Sequence, residues 1–562
     1  MNEATGQGRP EGPGGGGARQ QYLQAAQAAV EELLRSQPEW ATSLGDHRFD
    51  HEIDDLSEDG LAETSRHLGS HRATLGSIDP TLLGPEDRVD LEMLVGELES
   101  RVFVINDLAS FRWDPLVYNV GEALYPLLTR EVLPLPDRLR AIASRLDQVP
   151  GRLAAARRQV EAPPRAHVET ALRRHPGNVA MVREEVGRLA QGEPGLRSEV
   201  EAAQEAALGS LGEFEGVLRA WLAGPHRPER IGHDLFARRL RLELASDMSP
   251  EQVLDRARQH LEAVAEELGA AARGYLGSPG AGGGADRSWG GDRPGTVRAA
   301  LDQVAREHPD DRTIVQAIND ALARCTDTVR SLGIVSLPDQ PMRVELMPVF
   351  RRGIGGAYCD PAGPLEEGGE TSFAVEPTPE EWSAEEKESF YREYNSAMVT
   401  DLTVHEAMPG HMVQLAHART FRGSTAARLV LGSGSFIEGW AVHAERIMAE
   451  HGHGGLPVRL QQLKMLLRSV INAILDVSFH AGDLDEAGAM ELMTSTGYQE
   501  HGEARKKWTR LQLTSAQLST YFVGYCELAD VFARLGEGLS YDEVLAHGSP
   551  PPRLLGQLLS PG

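Results

Sequence analysis

Apolar residues recur at helical spacing along most of the chain. The repeat is clearest in five long segments, which cover residues 22–34, 87–108, 135–160, 197–222 and 250–276. Ala, Leu, Glu and Arg dominate these segments, and all four favour helix. The pattern predicts a mainly α-helical protein.

Strand-like alternation is rare. The best example is 342–350, where Val344 and Leu346 alternate with Arg343 and Glu345. A second short extended segment is predicted at 371–375. Pro348 places the first segment at a sheet edge, because proline cannot donate to a strand ladder. The sequence therefore predicts one small edge sheet beside many helices.

Glycine divides the chain into unequal regions. Residues 1–20 are rich in Gly and polar residues and are predicted to be a disordered tail. Residues 277–295 are again Gly-rich and are predicted to be a loop or linker. They separate an N-terminal helical half (21–276) from a C-terminal half (296–562) that holds every strong motif.

Composition narrows the class of protein. The chain has 562 residues, 41% of them hydrophobic, and a formal net charge of −27. Such an acidic surface repels phosphate backbones, which argues against nucleic acid as a partner. The three cysteines are far apart, and no apolar run of about 18 residues occurs. We therefore expect a cytoplasmic protein with no membrane partner, and an oligomer remains open.

Candidate metal chemistry begins at His405. Glu406 is its neighbour and His411 follows six residues after it. On a straight helix six residues turn through about 600°, which would point the two imidazoles in different directions. Pro409 and Gly410 lie between them and favour a kink or wide turn. With that turn, both histidines can reach one cation.

The third ligand is predicted from a second apolar helix. Glu438 and Glu445 are seven residues apart, so they share a helix face. A carboxylate among apolar neighbours needs a partner. A His₂Glu zinc site takes such a carboxylate and leaves one position open. We predict Zn²⁺ on His405, His411 and Glu438, with Glu445 as the alternative ligand or as a group that orients a histidine. A polar helix surface is the competing interpretation.

The two motifs, HEAMPGH from His405 and EGWAVHAE from Glu438, resemble those of the bacterial DUF885 family, which is similar to zincin-like peptidases. Segments 38–57 and 513–535, the latter with Tyr521 and Gly524, also resemble this family. The resemblance implies a large helical clamshell with a deep cleft and a small edge β-sheet, in a zincin-like metallopeptidase architecture. Three features depart from the family pattern: Met412, His443 and the absence of proline before Tyr521.

A polar stripe crosses the apolar segment 456–480. Its members are spaced by four: Arg468, Asn472, Asp476 and His480. We interpret the stripe as a wall facing the metal, with a solvated face as the alternative. His480 would then donate to a developing oxyanion, while Arg468 and Asp476 would hold the helix in place.

Three further residues are predicted to contact the substrate. The resemblance implies that Tyr521 polarises a substrate carbonyl. Arg510 is a candidate for neutralising a substrate carboxylate. Tyr358 follows a Gly-rich run and is predicted to pack over the substrate, on a flexible rim or on an edge strand that pairs with a peptide backbone.

These residues predict a zinc-dependent hydrolase that cleaves an amide bond in a peptide or small amide-containing substrate. Glu406, beside a ligand, would act as general base. Two alternatives stay open at this point. One is a zinc hydrolase or lyase acting on a small metabolite in a biosynthetic pathway, and the other is a non-catalytic binding protein that retains the fold.

Overall fold

A computed structural model of the protein describes residues 15–278, 293–339, 342–347, 356–366, 368–379, 382–536 and 538–559. The described residues are mainly α-helical and include one three-stranded sheet, which confirms the predicted fold class. The deep clamshell cleft implied by the resemblance stays a prediction.

Eleven α-helices precede the Gly-rich segment: α1 (Gly15–Ser36), α2 (Pro38–Leu44), α3 (Glu58–Gly76), α4 (Pro85–Phe103), α5 (Gly121–Thr129), α6 (Leu135–Gln159), α7 (Arg165–Ala180), α8 (Val186–Gln191), α9 (Arg197–Ala223), α10 (His233–Leu244) and α11 (Pro250–Leu276). The described residues after it form α12 (Arg293–Val304), α13 (Ile314–Leu332), α14 (Ala384–Glu393), α15 (Ser396–Glu406), α16 (His411–Thr420), α17 (Ala427–Val430), α18 (Gly434–Glu450), α19 (Gly455–His480), α20 (Glu486–Glu491), α21 (His501–Leu513), α22 (Thr520–Leu535), α23 (Tyr541–Leu545) and α24 (Pro552–Leu559).

The five predicted helical segments correspond to α1, α4, α6, α9 and α11. Two predicted boundaries are wrong. Helix α1 begins at Gly15, so 15–20 are helical and not part of a tail, because Ala18 and Gln20 extend the helix-favouring segment backward. Helix α12 begins at Arg293, so 293–295 are helical as well. Residues 1–14 and 279–292, where the rest of both predictions falls, lie outside the described residues.

The hydrophobic core crosses the predicted division between the two halves. Helix α11 packs along α19, and Leu268 and Leu467 belong to the same buried cluster. The strong amphipathic pattern of α11 explains this, since its apolar face needs a partner and the long apolar helix α19 supplies one. In the described residues, no helix is both long enough and apolar enough to span a bilayer.

The sheet contains β1 (Met342–Leu346), β2 (Ala357–Asp360) and β3 (Thr371–Val375), in the order β1-β3-β2. Strand β3 is parallel to β1 and antiparallel to β2. All five residues of β3 are buried, as expected for a central strand. Both β1 and β2 are edges. The predicted strand at 371–375 is confirmed, whereas Pro348 lies outside the described residues.

Candidate metal centre

The chain between the two histidines leaves the helical path. Helix α15 ends at Glu406, a turn that includes a cis Met408–Pro409 peptide follows, and α16 begins at His411. Gly410 is required here, because a Cβ atom would lie 1.9 Å from the carbonyl oxygen of His405. The predicted kink is therefore present, and it turns His411 back towards His405. Their ring centroids are 4.7 Å apart.

Glu438 completes the cluster from α18. Its Oε2 lies 3.5 Å from His405 Nε2 and 3.6 Å from His411 Nε2. One ligand atom from each of the three residues lies within 4.8 Å of the other two. The Glu438 side chain is 26% exposed, so solvent can reach the group. The structure thus brings together the three residues predicted as ligands.

The donor set fits a divalent cation. The Oε2 of Glu438 is buried and lacks a hydrogen-bond partner, and its distances of 3.5 and 3.6 Å to the two Nε2 atoms are long for a hydrogen bond. Tetrahedral ligands at about 2.0–2.2 Å from zinc lie roughly 3.3–3.5 Å from each other. The spacing is therefore close to that of zinc ligands, and two imidazoles with one carboxylate suit zinc.

The electrostatics of the cluster favour positive charge. Burial disfavours the charged form of His405, yet the carboxylates of Glu438 and Glu445 raise its pKa well above the usual value. Burial also opposes ionisation of Glu438, but His405 and His411 hold the pKa of Glu438 well below its usual range. The surroundings of these atoms thus stabilise a cation.

Glu445 contacts the back of the first histidine. Its Oε1 lies 2.6 Å from His405 Nδ1. This contact makes Nδ1 the protonated nitrogen and directs the Nε2 lone pair towards Glu438. Of the two roles open for Glu445, the geometry supports orientation of a histidine and leaves Glu438 as the third ligand.

Glu406 is held by the sheet. The backbone N–H of Cys359, on edge strand β2, donates to Glu406 Oε2 at 2.9 Å. Among the described residues, no hydrogen bond to the other oxygen, Oε1, occurs. The carboxylate is therefore fixed through one oxygen while the second can exchange a proton.

Tyr521 approaches the cluster because two helices pack backbone to backbone. A Cβ at Gly439 of α18 would lie 2.4 Å from the carbonyl carbon of Gly524 of α22. The rings of Tyr521 and His405 are 6.5 Å apart. The charge of Glu438 and then burial raise the pKa of Tyr521, which keeps the hydroxyl protonated.

Arg510 lies next to Tyr521. Its Nε donates to Gln517 Oε1 at 2.9 Å, and its guanidinium interacts with the Tyr521 hydroxyl. Tyr358 is on β2, beside Cys359, and pairs with Ala374 in the sheet. Of the two settings considered for Tyr358, the structure shows the edge strand. Its contact with a substrate stays a prediction.

The polar stripe on α19 is buried, so the alternative of a solvated face is wrong. Arg468 Nη1 binds Glu393 at 2.9 Å. Asp476 accepts hydrogen bonds from the backbone N–H groups of Ala516 and Ser519, at 3.2 and 3.0 Å, just before α22. Both residues therefore hold neighbouring elements in place, as expected.

His480 has a different environment from the one predicted. Its Nε2 lies 2.8 Å from the carbonyl oxygen of Thr514, and its ring stacks on Phe236 at 5.4 Å. It is 2% exposed. The structure does not bring His480 to the cluster. The reason is a register effect, since a stripe spaced by four drifts around the helix and its last member faces α10 and α21.

Several residues near the centre were not predicted from the sequence. Asp401, one turn before His405, is buried, and burial followed by the charge of Glu445 raises its pKa well above the usual value. Its position four residues before a ligand was the available signal. The Cys359–Glu406 hydrogen bond and the Gly439–Gly524 contact join distant segments of the chain, and no local sequence pattern predicts them.

A family model described as a bacterial protein of unknown function, DUF885, matches residues 38–559. The chain belongs to the DUF885 family. No curated protein matches this chain.

Solved structures resemble the DUF885 chain over nearly its whole length. A "putative lipoprotein of unknown function" from Shewanella oneidensis is 26% identical, with a TM-score of 0.80 over 96% of this chain and 99% of its own. A structure described as "the putative lipoprotein" from Colwellia psychrerythraea is 15% identical, with a TM-score of 0.78 over 96% of this chain and 98% of its own. An M32 carboxypeptidase from Deinococcus radiodurans is 12% identical, covers 96% and 94%, and has a TM-score of 0.31, too low to indicate a shared fold.

These relatives correct one prediction. The expected cytoplasmic location is contradicted, because the similar structures from Shewanella oneidensis and Colwellia psychrerythraea are each described as a "putative lipoprotein". Acidic composition and few cysteines do not separate a cytoplasmic enzyme from a soluble domain in another compartment. The sequence argument therefore had no power to decide location.

Proposed function

We propose that this chain is a zincin-like, metal-dependent hydrolase that cleaves an amide bond in a peptide-like substrate. The convergence of His405, His411 and Glu438 carries the proposal. A zinc ion held by these three residues would act as a Lewis acid and lower the pKa of water at the open position.

Glu406 is the general base in this proposal. Its Oε1 takes the proton of the attacking water and later delivers it to the leaving nitrogen. The Cys359 amide holds Oε2 at 2.9 Å, so the carboxylate keeps one orientation through both transfers. Pre-oriented groups of this kind avoid reorganisation during the reaction.

Tyr521 donates a hydrogen bond to the substrate carbonyl oxygen as negative charge develops there. Its raised pKa suits a donor, because the hydroxyl stays protonated at neutral pH. The contact with Arg510 orients the phenol ring. Tyr521 reaches this position only because Gly524, one turn later, permits the close approach to α18.

A peptide-like substrate is supported by the position of β2. This strand is an edge of the sheet and touches the centre through Cys359 and Glu406. In an antiparallel pair, alternate residues point their backbone groups away from the partner strand. The Cys359 N–H is already bound to Glu406, so an extended substrate would pair with the other outward groups of β2, which would set its amide bond beside Glu406.

Two variants test the proposal. Purified wild-type protein is expected to contain one zinc per chain by elemental analysis and to cleave members of a panel of short peptides and N-acyl amino acids. Glu406→Gln should keep the metal and lose roughly 100-fold or more in turnover. His405→Ala should lose both the metal and the activity.

Glu491→Gln is the matched control, because Glu491 is exposed on α20. It should keep zinc and activity at the wild-type level. Absence of stoichiometric metal from the wild-type protein would refute the proposed centre. Wild-type turnover in metal-loaded Glu406→Gln would refute Glu406 as the base.

A further inference from the structure

Four basic side chains gather on α19 and α21, and one of them, Arg510, contacts Tyr521 beside the candidate centre. We call them the basic cluster: Lys464, Arg468, Lys507 and Arg510. Such a concentration is unexpected in a chain whose net charge is −27. Charged groups that lose contact with water require partners, so the partners of each cation indicate its role.

Two members of the cluster are neutralised internally. Lys464 Nζ lies 2.9 Å from a carboxylate oxygen of Glu393, and Arg468 Nη1 lies 2.9 Å from the other oxygen. Arg468 also binds Glu503, with Nη2 and Oε1 3.3 Å apart. These contacts occupy both carboxylates, and they tie α14, α19 and α21 together.

The other two members have only neutral hydrogen-bond partners. Lys507 Nζ donates to the side-chain oxygen of Asn472 at 2.8 Å, and Arg510 Nε donates to Gln517. Among the described residues, no carboxylate oxygen lies within 4.0 Å of either cation. Burial, and then the charge of Arg468, lower the pKa of Lys507 well below its usual value, and a bound carboxylate would favour the protonated form.

Arg510 links the pair without a carboxylate partner, Lys507 and Arg510, to the candidate centre. Arg510 interacts with the hydroxyl of Tyr521, and the charge of Glu438 acts on that same hydroxyl. On the other side, the Tyr394 hydroxyl lies against Gly356 at the start of β2, where an added Cβ would be 1.6 Å from it. Burial, and then the charge of Glu503, raise the pKa of Tyr394. The basic cluster therefore adjoins Tyr521 and approaches the edge strand.

We propose that Lys507 and Arg510 bind a carboxylate of the substrate, so that the protein acts on amides that carry a carboxylate within about one residue of the bond cleaved. The inference rests on the proposed hydrolase function, because it places this carboxylate relative to the metal centre. A guanidinium and an ammonium together supply the charge and the directed donors that a carboxylate needs. Peptides with a free C-terminus and N-acyl amino acids belong to this substrate class.

The test measures binding in a chain that does not turn substrate over. Three probes are titrated by calorimetry into zinc-loaded Glu406→Gln: acetyl-Ala-Phe as the free acid, acetyl-Ala-Phe amide, and acetyl-Ala-Glu amide. The free acid is expected to bind about tenfold or more tightly than its amide. Lys507→Met, added to this background, should reduce the ratio to about twofold or less, and Lys507→Arg should restore it.

Lys506→Met is the matched control, because Lys506 is exposed and lies over Trp382. It should leave the ratio unchanged. Tight binding of acetyl-Ala-Glu amide would support the carboxylate site and assign it to an acidic side chain, whereas preference for the free acid alone assigns it to the C-terminus. Equal binding of all three probes, or an unchanged ratio in Lys507→Met, would overturn the inference.

The proposed function fails in a different way. If wild-type protein binds the free acid selectively but contains no metal and cleaves no probe, the carboxylate site stands and the hydrolase proposal falls. If zinc is present and the amide probes are cleaved as well as the acid, the hydrolase stands and the carboxylate site falls.

Discussion

The contact between α18 and α22 allows one substitution to be worked through from the structure. At Gly524 an added Cβ would lie 1.8 Å from the carbonyl oxygen of Ser435 and 3.1 Å from the Cα of Gly439. Both obstacles are backbone, so no side-chain rotation relieves the overlap. Gly524→Ala must therefore move a helix.

The size of the movement follows from ordinary contact distances. Van der Waals contact for a Cβ begins at 3.4 Å, so the nearest atom must retreat by 3.4 − 1.8 = 1.6 Å. Overpacking of this kind costs about 1–3 kcal/mol of unfolding free energy, or more where backbone must shift. Tyr521 is one turn away on the same helix and moves with it. A displacement of about 1 Å at a reacting group can cost roughly 100-fold in rate.

Two measurements on Gly524→Ala test this reasoning. Guanidinium denaturation should show the lost stability as a lower midpoint. Turnover should fall whichever helix moves. If α18 is displaced, zinc content should fall as well, because Ser435 and Gly439 flank the ligand Glu438 on that helix. Loss of turnover with the metal retained would point to Tyr521.

Gly212→Ala provides the matched comparison. Gly212 is exposed in the middle of α9, and nothing lies within 4 Å of an added Cβ. Alanine there should stabilise the protein by about 0.5–1 kcal/mol through helix propensity. A Gly524→Ala protein as stable and active as wild type would show that α18 and α22 do not pack as described.

Further predictions concern individual buried charges. Glu445→Gln removes the charge behind His405, so zinc affinity measured by chelator competition should fall roughly 10–100-fold with the fold intact; unchanged affinity would exclude this role. Burial raises the pKa of Glu527 from 4.5 to about 7, so the folded state retains a proton and stability should fall as pH rises through that window. Glu527→Gln should flatten this dependence in denaturation at pH 5 and pH 8, chosen from that window, and an equal slope in both proteins would contradict it. Burial lowers the pKa of His443 from 6.5 to about 3, so stability should be lost as pH falls between those values. His443→Phe should remove that acid sensitivity in thermal melts, because both ring nitrogens lack partners, and an undiminished loss would argue against a buried neutral imidazole.

Local patterns were sufficient for most of the fold. Periodicity placed α11 at its observed bounds and predicted β3, because helix and strand patterns are properties of short segments. The break between His405 and His411 was also predictable, since Pro409 and Gly410 act on the backbone beside them. The convergence on Glu438 followed from chemistry, as a carboxylate in an apolar helix needs a partner.

Features set by tertiary contacts escaped prediction. His480 was assigned to the site from its spacing, but spacing gives a helix face and not the element that covers it. Lys507 carries no motif, and its lack of a carboxylate partner is visible only when the contacts of Glu393 and Glu503 with the other cations are known. The tail boundary failed for a simpler reason, since Gly15 to Gly17 were given more weight than the helix-favouring residues after them.

The hydrogen bond from Cys359 to Glu406 limits how a second strand can pair with β2. The side of β2 that would receive an incoming chain is the same side whose amide anchors the carboxylate. A single N–H cannot donate fully to Glu406 and to an added strand, so a ligand that takes this amide would release Glu406 Oε2. A strand that leaves Glu406 in place must therefore bind β2 through outward groups other than the Cys359 N–H.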